Sequence, residues 1–333
     1  MTRLVTPRPV MNRLVLAGLA VVALGSGSIA DTVYVVSFTT GELIRYDSSD
    51  PAGTKTVLSG SGSLVKPGAL AMGPDGNLYI GEDGDGATFA PRISKFEPAT
   101  LTLSTVYAFG GFEVFPGSLA FKGNDLLIGR NPFFGNTGPI VKLSNATGGP
   151  VSTSDYTSGG SLASSPGIAL AADGSLYVSD QTYDFNTGLA SGPVKRFDVG
   201  GTYVGEVIAS GSSGLAGPTG LALNGSTLYT ASIMAGTIVQ TILGSDVTTP
   251  FASTGSPFEV GALARLADGS LLAGSPSGSG SIYRFGANGA LLETFPSGLG
   301  QIGGIATVPE PTTFASLAGG IAVGWLLLRR RMA

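Results

Sequence analysis

The chain of 333 residues contains no cysteine and no histidine, and only 12% of its residues are charged. Without thiols it cannot form disulfides, so a domain of about 280 residues must be stabilised by an ordinary hydrophobic core. The commonest general base, a thiol nucleophile and zinc sites built on these two residue types are also excluded. The net charge is −4, and the basic stripe of a nucleic-acid-binding protein is missing. We therefore expect no nucleic acid partner.

The N-terminal residues have the pattern of a secretory signal peptide. Arg3, Arg8 and Arg13 precede an uncharged run at residues 14–24, and small residues follow at positions 28 and 30. A first transmembrane helix is the weaker interpretation, because such a run spans only about half of a ~30 Å hydrocarbon core. The pattern predicts a signal peptide over residues 1–30, with cleavage after Ala30.

One sequence motif recurs along the chain: a Pro-Gly-like start, a short apolar strand, an Asp-Gly-like turn, and a second strand resembling Leu-Tyr-Val. The Asp-Gly pairs at 75–76, 173–174 and 268–269 are expected to be hairpin turns, which need a positive φ, and not ligands. Successive copies are 42 to 53 residues apart, the spacing of a β-propeller blade. The aligned apolar positions are Leu70, Leu119, Ile168, Leu221, Leu263 and Ile305.

The last copy has a first strand but no second one, whereas residues 32–36 read as a second strand with no first strand before it. Joining the two ends completes a sixth blade and leaves no unpaired strand edge. The sequence predicts an all-β, six-bladed β-propeller over residues 31–307, closed by N- and C-terminal strands. Outer, fourth strands are expected near residues 56–58, 103–107, 203–208 and 291–295.

A third strand in five blades carries a basic residue between apolar and aromatic ones. In register, these residues could form a charged ring. The preferred interpretation is that their stems cover apolar blade surface while the charged heads reach water. The five are Arg45, Lys95, Lys142, Arg196 and Arg284.

The two most complete copies of the motif, residues 67–83 and 166–180, resemble those of NHL-repeat and gluconolactonase-like six-bladed propellers. The resemblance covers residues 31–307 and implies the fold. It does not imply one function, because rings of this kind include lactonases, lyases and binding modules.

The C-terminal residues 308–333 combine a Pro-Glu-Pro motif, an uncharged run at 312–328 and an arginine cluster. The run is just long enough to span a membrane as a single hydrophobic helix, and the arginines would stay on the cytoplasmic side. A plain membrane anchor is the alternative. The motif residues are Val308, Pro309, Glu310, Pro311, Arg329, Arg330 and Arg331.

This segment resembles the PEP-CTERM sorting domain of Gram-negative bacteria. The resemblance implies an exosortase-type partner and an inner-membrane stage. Delivery to the cell surface or the extracellular exopolysaccharide matrix would follow.

Ligands of a propeller usually meet the face formed by loops after the second strands and between blades. Aromatic residues concentrate in these loops here, which indicates a partner or sugar surface. The alternative is that several fold back over the blade ends. The candidates are Phe89, Phe112, Phe115, Phe133, Phe134, Tyr183, Phe185 and Phe258.

Glu82, Asp83 and Asp85 lie among glycines, with the hard oxygen ligands that Ca²⁺ accepts. A solvated acidic loop is the alternative, and no other cofactor is expected. We expect a non-catalytic module that binds a glycan or a protein. The alternative is a metal-dependent, gluconolactonase-like hydrolase, for which suitable ligands lie near strand ends: Glu42, Glu82, Asn131, Asp180 and Glu259.

Overall fold

The computed structural model describes residues 30–85, 90–111, 114–131, 137–296 and 298–309. The expected signal peptide, apart from Ala30, and the tag from Glu310 onward, with its expected apolar helix, lie outside these ranges. Within them, no helix has the length and apolarity needed to cross a membrane.

Nearly all described elements are antiparallel strands. The first are β1 (Asp31–Ser37), β2 (Leu43–Asp47), the single helical turn α1 (Pro51–Thr54) and β3 (Thr56–Ser59). Blade 1 consists of β4 (Pro67–Met72), β5 (Leu78–Glu82), β6 (Arg92–Glu97) and β7 (Thr102–Ala108). Blade 2 consists of β8 (Pro116–Lys122), β9 (Asp125–Arg130), β10 (Val141–Ser144) and β11 (Ser152–Asp155).

Blade 3 contains an extra hairpin between its second and third strands. Its elements are β12 (Ile168–Leu170), β13 (Leu176–Ser179), the hairpin β14 (Thr182–Asp184) and β15 (Leu189–Ser191), β16 (Val194–Phe197) and β17 (Tyr203–Ile208). A short 3₁₀ turn, Ser212–Gly214, leads to blade 4.

The remaining strands complete the ring. Blade 4 consists of β18 (Pro218–Asn224), β19 (Thr227–Ser232), β20 (Thr237–Ile242) and β21 (Val247–Ser253). Blade 5 consists of β22 (Ala262–Arg265), β23 (Leu271–Gly274), β24 (Ser281–Phe285) and β25 (Leu291–Pro296). The last strand is β26 (Ile302–Pro309).

Blade 6 is built from both ends of the described chain, in the order β26-β1-β2-β3. Strand β1 pairs with β26 in a register that sets Val35 opposite Ile305 and Asp31 opposite Pro309. The predicted six-bladed propeller closed by terminal strands is therefore confirmed. Strand β26 also continues through Val308 and Pro309, so these first two residues of the expected tag are paired within the propeller.

The sequence anticipated four of the outer strands but not β11, β21 or the hairpin β14–β15. Strand β11 has the sequence Ser-Thr-Ser-Asp and is exposed along its whole length, so it gives no apolar signal. Strand β21 contains Pro250, a residue that usually argues against a strand but is tolerated at a sheet edge.

The hydrophobic core is divided among the contacts between neighbouring blades, each of which encloses one apolar cluster. Between blades 6 and 1, for example, Tyr34 and Val36 pack with Leu70, Ile80 and Phe96. Each sheet is thus buried on both faces, which explains why β5 is buried at every position.

The basic third-strand residues lie away from the channel, and three of them form ion pairs at the blade surface. Arg284 Nη2 lies 2.7 Å from Asp268, and Lys95 Nζ lies 3.0 Å from Glu97. The charged-ring interpretation is therefore not supported. The Asp-Gly turns are as predicted, with φ of 75° to 86° at their glycines, and the carboxylate of Asp268 accepts a hydrogen bond from the Ser270 amide.

Candidate functional site

Antiparallel pairing brings the loop after each second strand to the same end of the channel as the start of each first strand. Pro67 at the start of β4, for example, faces Glu82 at the end of β5. One residue from each of these loops lines the channel opening. We call these six residues the rim: Phe38, Asp83, Asn131, Gln181, Ile233 and Pro276.

The rim has two chemically different halves. Blades 1 to 3 contribute Asp83, Asn131 and Gln181, whereas blades 4 to 6 contribute Ile233, Pro276 and Phe38. Because these blades are neighbours around the ring, the polar residues form one continuous arc and the apolar residues the other. Two further polar residues line the opening just before the first strands of blades 1 and 6, Lys66 and Gln301.

Below the rim, the first strands approach one another at a collar of glycines. A Cβ atom on Gly303 would lie 1.9 Å from the Pro67 carbonyl oxygen, and one on Gly167 would lie 1.9 Å from that of Thr219. At Gly167, Gly303 and Gly220, whose Cβ would lie 2.3 Å from the Gly261 carbonyl oxygen, a side chain would therefore force neighbouring first strands apart. The collar consists of Gly68, Gly117, Gly167, Gly220, Gly261 and Gly303.

The aligned apolar positions of the repeats form the floor beneath the collar. All six are buried to almost the same degree, with 7–9% of each side chain exposed. They are Leu70, Leu119, Ile168, Leu221, Leu263 and Ile305. Rim, collar and floor, together with neighbouring residues of the first strands and with Lys66 and Gln301 at the opening, line a cavity of about 480 Å³, which we call the cup. Its volume lies in the usual range for small-molecule sites.

Asp83 is the acidic residue of the rim and is 1% exposed. Its Oδ2 accepts a hydrogen bond of 2.9 Å from the Asn131 side-chain amide. Among the described residues, its Oδ1 has no hydrogen-bond partner. Burial raises the pKa of Asp83 to about 7, although the hydrogen bond from Asn131 and the charge of Lys66 oppose this shift. The cup thus contains a carboxyl group with an unused acceptor oxygen.

Glu82 has a structural role instead. Its buried carboxylate accepts two hydrogen bonds of 2.8 Å from Arg92, one from the Ser94 hydroxyl and one of 2.7 Å from the Val65 amide. It thereby links the second and third strands of blade 1 to the segment before the first strand. These contacts use both carboxylate oxygens of Glu82.

Asp180 has the same role in blade 3. It lies 2.5 Å from Lys195 of the third strand and accepts a hydrogen bond from the Ala163 amide, 17 positions before it. The separation between Glu82 and Val65 is also 17. In both blades, a carboxylate at the end of the second strand pairs with a basic residue of the third strand. This sequence pattern could have been used to predict the two ion pairs.

The predicted calcium ligands are not brought together as a cluster. Asp83 faces the cup, Glu82 is held by Arg92, and Asp85 is exposed. Across the described ranges, no three acidic side chains converge as metal ligands would. Glu42 and Glu259 bind neighbouring hydroxyl groups, Thr40 for the first and Ser277, Ser279 and Tyr283 for the second. The calcium site stays a prediction.

The aromatic candidates divide between core and surface. Phe115 is 6% exposed and therefore covers a blade end. Tyr183 and Phe185 lie on the hairpin of blade 3 in an edge-to-face contact, with ring centroids 4.9 Å apart. Phe185 is 69% exposed and Phe258 is 42% exposed. The other candidates lie outside the described residues: Phe89, Phe112, Phe133 and Phe134.

Sequence reasoning named Asp83 and Asn131 but missed the other rim residues. A signal was present, because each rim residue follows the second strand of its repeat at an equivalent position. The sequence did not show that this position faces the channel in all six blades.

These features define the chain as a six-bladed β-propeller with a cup at one end of its channel. No protein-family model matches the sequence, and no curated protein matches it.

Solved structures share the fold at low sequence identity. A chain of the nidogen–laminin complex aligns with a TM-score of 0.66 at 14% identity, covering 83% of this chain and 98% of the other. A putative 6-phosphogluconolactonase from Bacteroides uniformis aligns with a TM-score of 0.54 at 18% identity, covering 81% and 83%. TolB from Acinetobacter baumannii aligns with a TM-score of 0.55 at 13% identity, covering 85% and 67%. At these identities the likeness shows the fold alone.

Proposed function

We propose that this chain is an exported, non-catalytic binding module that holds a glycan or a protein through the face around its cup. The observation that carries this proposal is the aromatic pair on the hairpin of blade 3. Phe185 keeps 69% of its side chain exposed although Tyr183 stands beside it. Exposed aromatic rings are costly in water and typically mark a surface on which a sugar or a partner stacks.

Export and sorting belong to the same proposal. The signal peptide would direct the chain across the inner membrane, and the C-terminal tag would hold it there until an exosortase-type enzyme processed it. The propeller would then reside at the cell surface or in the exopolysaccharide matrix. Mass spectrometry of the exported protein tests this step, since an intact segment 312–333 would refute processing.

Binding can be tested with a glycan array and the purified full-length chain. Replacing Tyr183 and Phe185 together by alanine should abolish retention on any glycan that the wild type binds. Leu292→Ala is a matched control, because Leu292 is 59% exposed on the outer strand β25, outside the loops of the binding face. Equal retention by the double variant would refute the role of the aromatic pair. Absence of glycan binding by the wild type would favour a protein ligand.

The alternative, metal-dependent hydrolysis, needs several oxygen ligands around one ion. Asn131 instead directs its amide N–H at Asp83. The geometry therefore favours binding over this chemistry. A calcium-dependent rise in melting temperature would reverse that preference, because a ligand that binds only the folded state must stabilise it.

A further inference from the structure

The cup offers one polar contact surface and one apolar surface to the same small ligand. Asp83, Asn131 and Gln181 form its polar arc. Phe38 and Ile233 stand on the opposite arc, which is apolar apart from the side-chain amide of Gln301. Beneath them, the floor consists of aliphatic side chains alone. A fully polar ligand would leave this apolar half without a partner, and a fully apolar one would leave the polar arc without a partner.

The charge of Asp83 is incompletely balanced. Its hydrogen-bond donor, Asn131, is neutral. Lys66, the cation whose charge acts on it, also lines the opening of the cup, but it is exposed to solvent and forms no ion pair with Asp83 among the described residues. Asp85, the other nearby carboxylate, is also exposed. A buried carboxylate in this position is costly unless a cation joins it, and a ligand can supply that cation.

We propose that the cup binds a small amphipathic organic cation. Its ammonium group donates a hydrogen bond to Asp83 Oδ1, which has no partner among the described residues, and its apolar body lies against Phe38, Ile233 and the aliphatic floor. This inference goes beyond the proposed function, because it adds a small-molecule ligand in the cup to the glycan or protein held by the surrounding face. The aromatic hairpin is not part of it.

The competing ligand is a neutral alcohol of the same shape. Hexylamine and hexanol share the same apolar body, but only the amine is charged at neutral pH, as a lysine side chain with a pKa of about 10.4 is. Hexylamine should therefore bind at least about ten-fold more tightly than hexanol, because only its ammonium group pairs with the Asp83 carboxylate.

Isothermal titration of the full-length chain with n-hexylamine, and with n-hexanol for comparison, tests the proposal. We expect saturable binding of the amine and at least about ten-fold weaker binding by Asp83→Asn, which corresponds to about 1.4 kcal/mol. Asp246→Asn is the matched control. It removes the same charge at a turn outside the cup, and asparagine tolerates its φ of 52°. Phe38→Ala should weaken binding of hexylamine but leave methylamine unchanged.

The proposal is overturned if the wild type does not bind hexylamine, if hexanol binds equally tightly, or if Asp83→Asn binds as the wild type does. The comparison of hexylamine with hexanol on the wild type needs no variant, so misfolding of Asp83→Asn would leave the test intact. Glycan retention by the aromatic hairpin is measured separately. Failure of the amine titration with intact glycan retention would refute this inference and not the proposed function.

Discussion

Strand β1 holds blade 6 together, and it can be deleted without changing the sequence of any other strand. It pairs on one side with β2 and on the other with β26, so it is the link between the two ends of the described chain. Deleting Asp31–Ser37 should therefore leave β26 and β2 with unpaired edges and open the ring.

The size of the effect follows from burial. Val33, Val35 and Val36 are each 0% exposed. Burying one such side chain stabilises a fold by about 1.5–3 kcal/mol, so the three together contribute roughly 5–9 kcal/mol. A typical domain has a total stability of about 5–15 kcal/mol. The deletion should remove most of this, whereas deleting residues 1–30 should have little effect.

Circular dichroism in increasing urea measures the difference, with a graded pair of variants beside the deletion. Val35→Ala should lower the free energy of unfolding by about 1–3 kcal/mol. Val57→Ala in the outer strand of the same blade is 53% exposed and should change it by less than about 0.5 kcal/mol. Cooperative unfolding of the deletion at the same midpoint as the chain lacking residues 1–30 would refute closure as a source of stability.

Three further changes test other parts of the molecule. Arg92→Ala leaves a buried carboxylate unpaired and should cost about 3–5 kcal/mol in urea unfolding, whereas Lys95→Ala, from a solvent-accessible pair, should cost at most about 1 kcal/mol. Because burial raises the pKa of Asp83 to about 7, the folded chain retains a proton that the unfolded chain releases. The free energy of unfolding should then decrease as the pH rises from about 4 to 7, and Asp83→Asn should abolish that part of the pH dependence. The same decrease in the variant would contradict this assignment. Gly303→Ala should lower the melting temperature by forcing strands apart, while Gly205→Ala, with open space around its Cβ position, should not.

Much of the fold could be predicted because each blade repeats a sequence motif whose residues are required by the local geometry of its turn and strands. Gly76, for example, has the positive φ that its Asp-Gly turn requires. The missing second strand of the last repeat, together with the unaccompanied strand at residues 32–36, was enough to predict closure. Strand β11 could not be predicted, because an exposed outer strand owes its position to its neighbour β10 and not to its own polar residues.

The site was harder to predict, because its chemistry depends on which side chains face the same space. Glu82 and Asp83 are adjacent in the sequence and both acidic, yet they have opposite roles. Alternation along a strand turns Glu82 toward Arg92 and Asp83 toward the channel. Proximity in sequence therefore suggested that the two carboxylates share one site, whereas in the structure they face different surroundings.

The six blades also provide comparisons within a single chain. At the floor all six residues are leucine or isoleucine, and each blade has a collar glycine one or two residues before its floor residue, because the first strands lie close together there. At the rim the six residues are all different. Closure of the ring does not require Asp83 in blade 1 or Ile233 in blade 4, since other blades place asparagine, proline or phenylalanine at the equivalent position. A position that the fold leaves unconstrained, and that nevertheless buries a carboxyl group opposite an apolar arc, is best explained by what the cup binds.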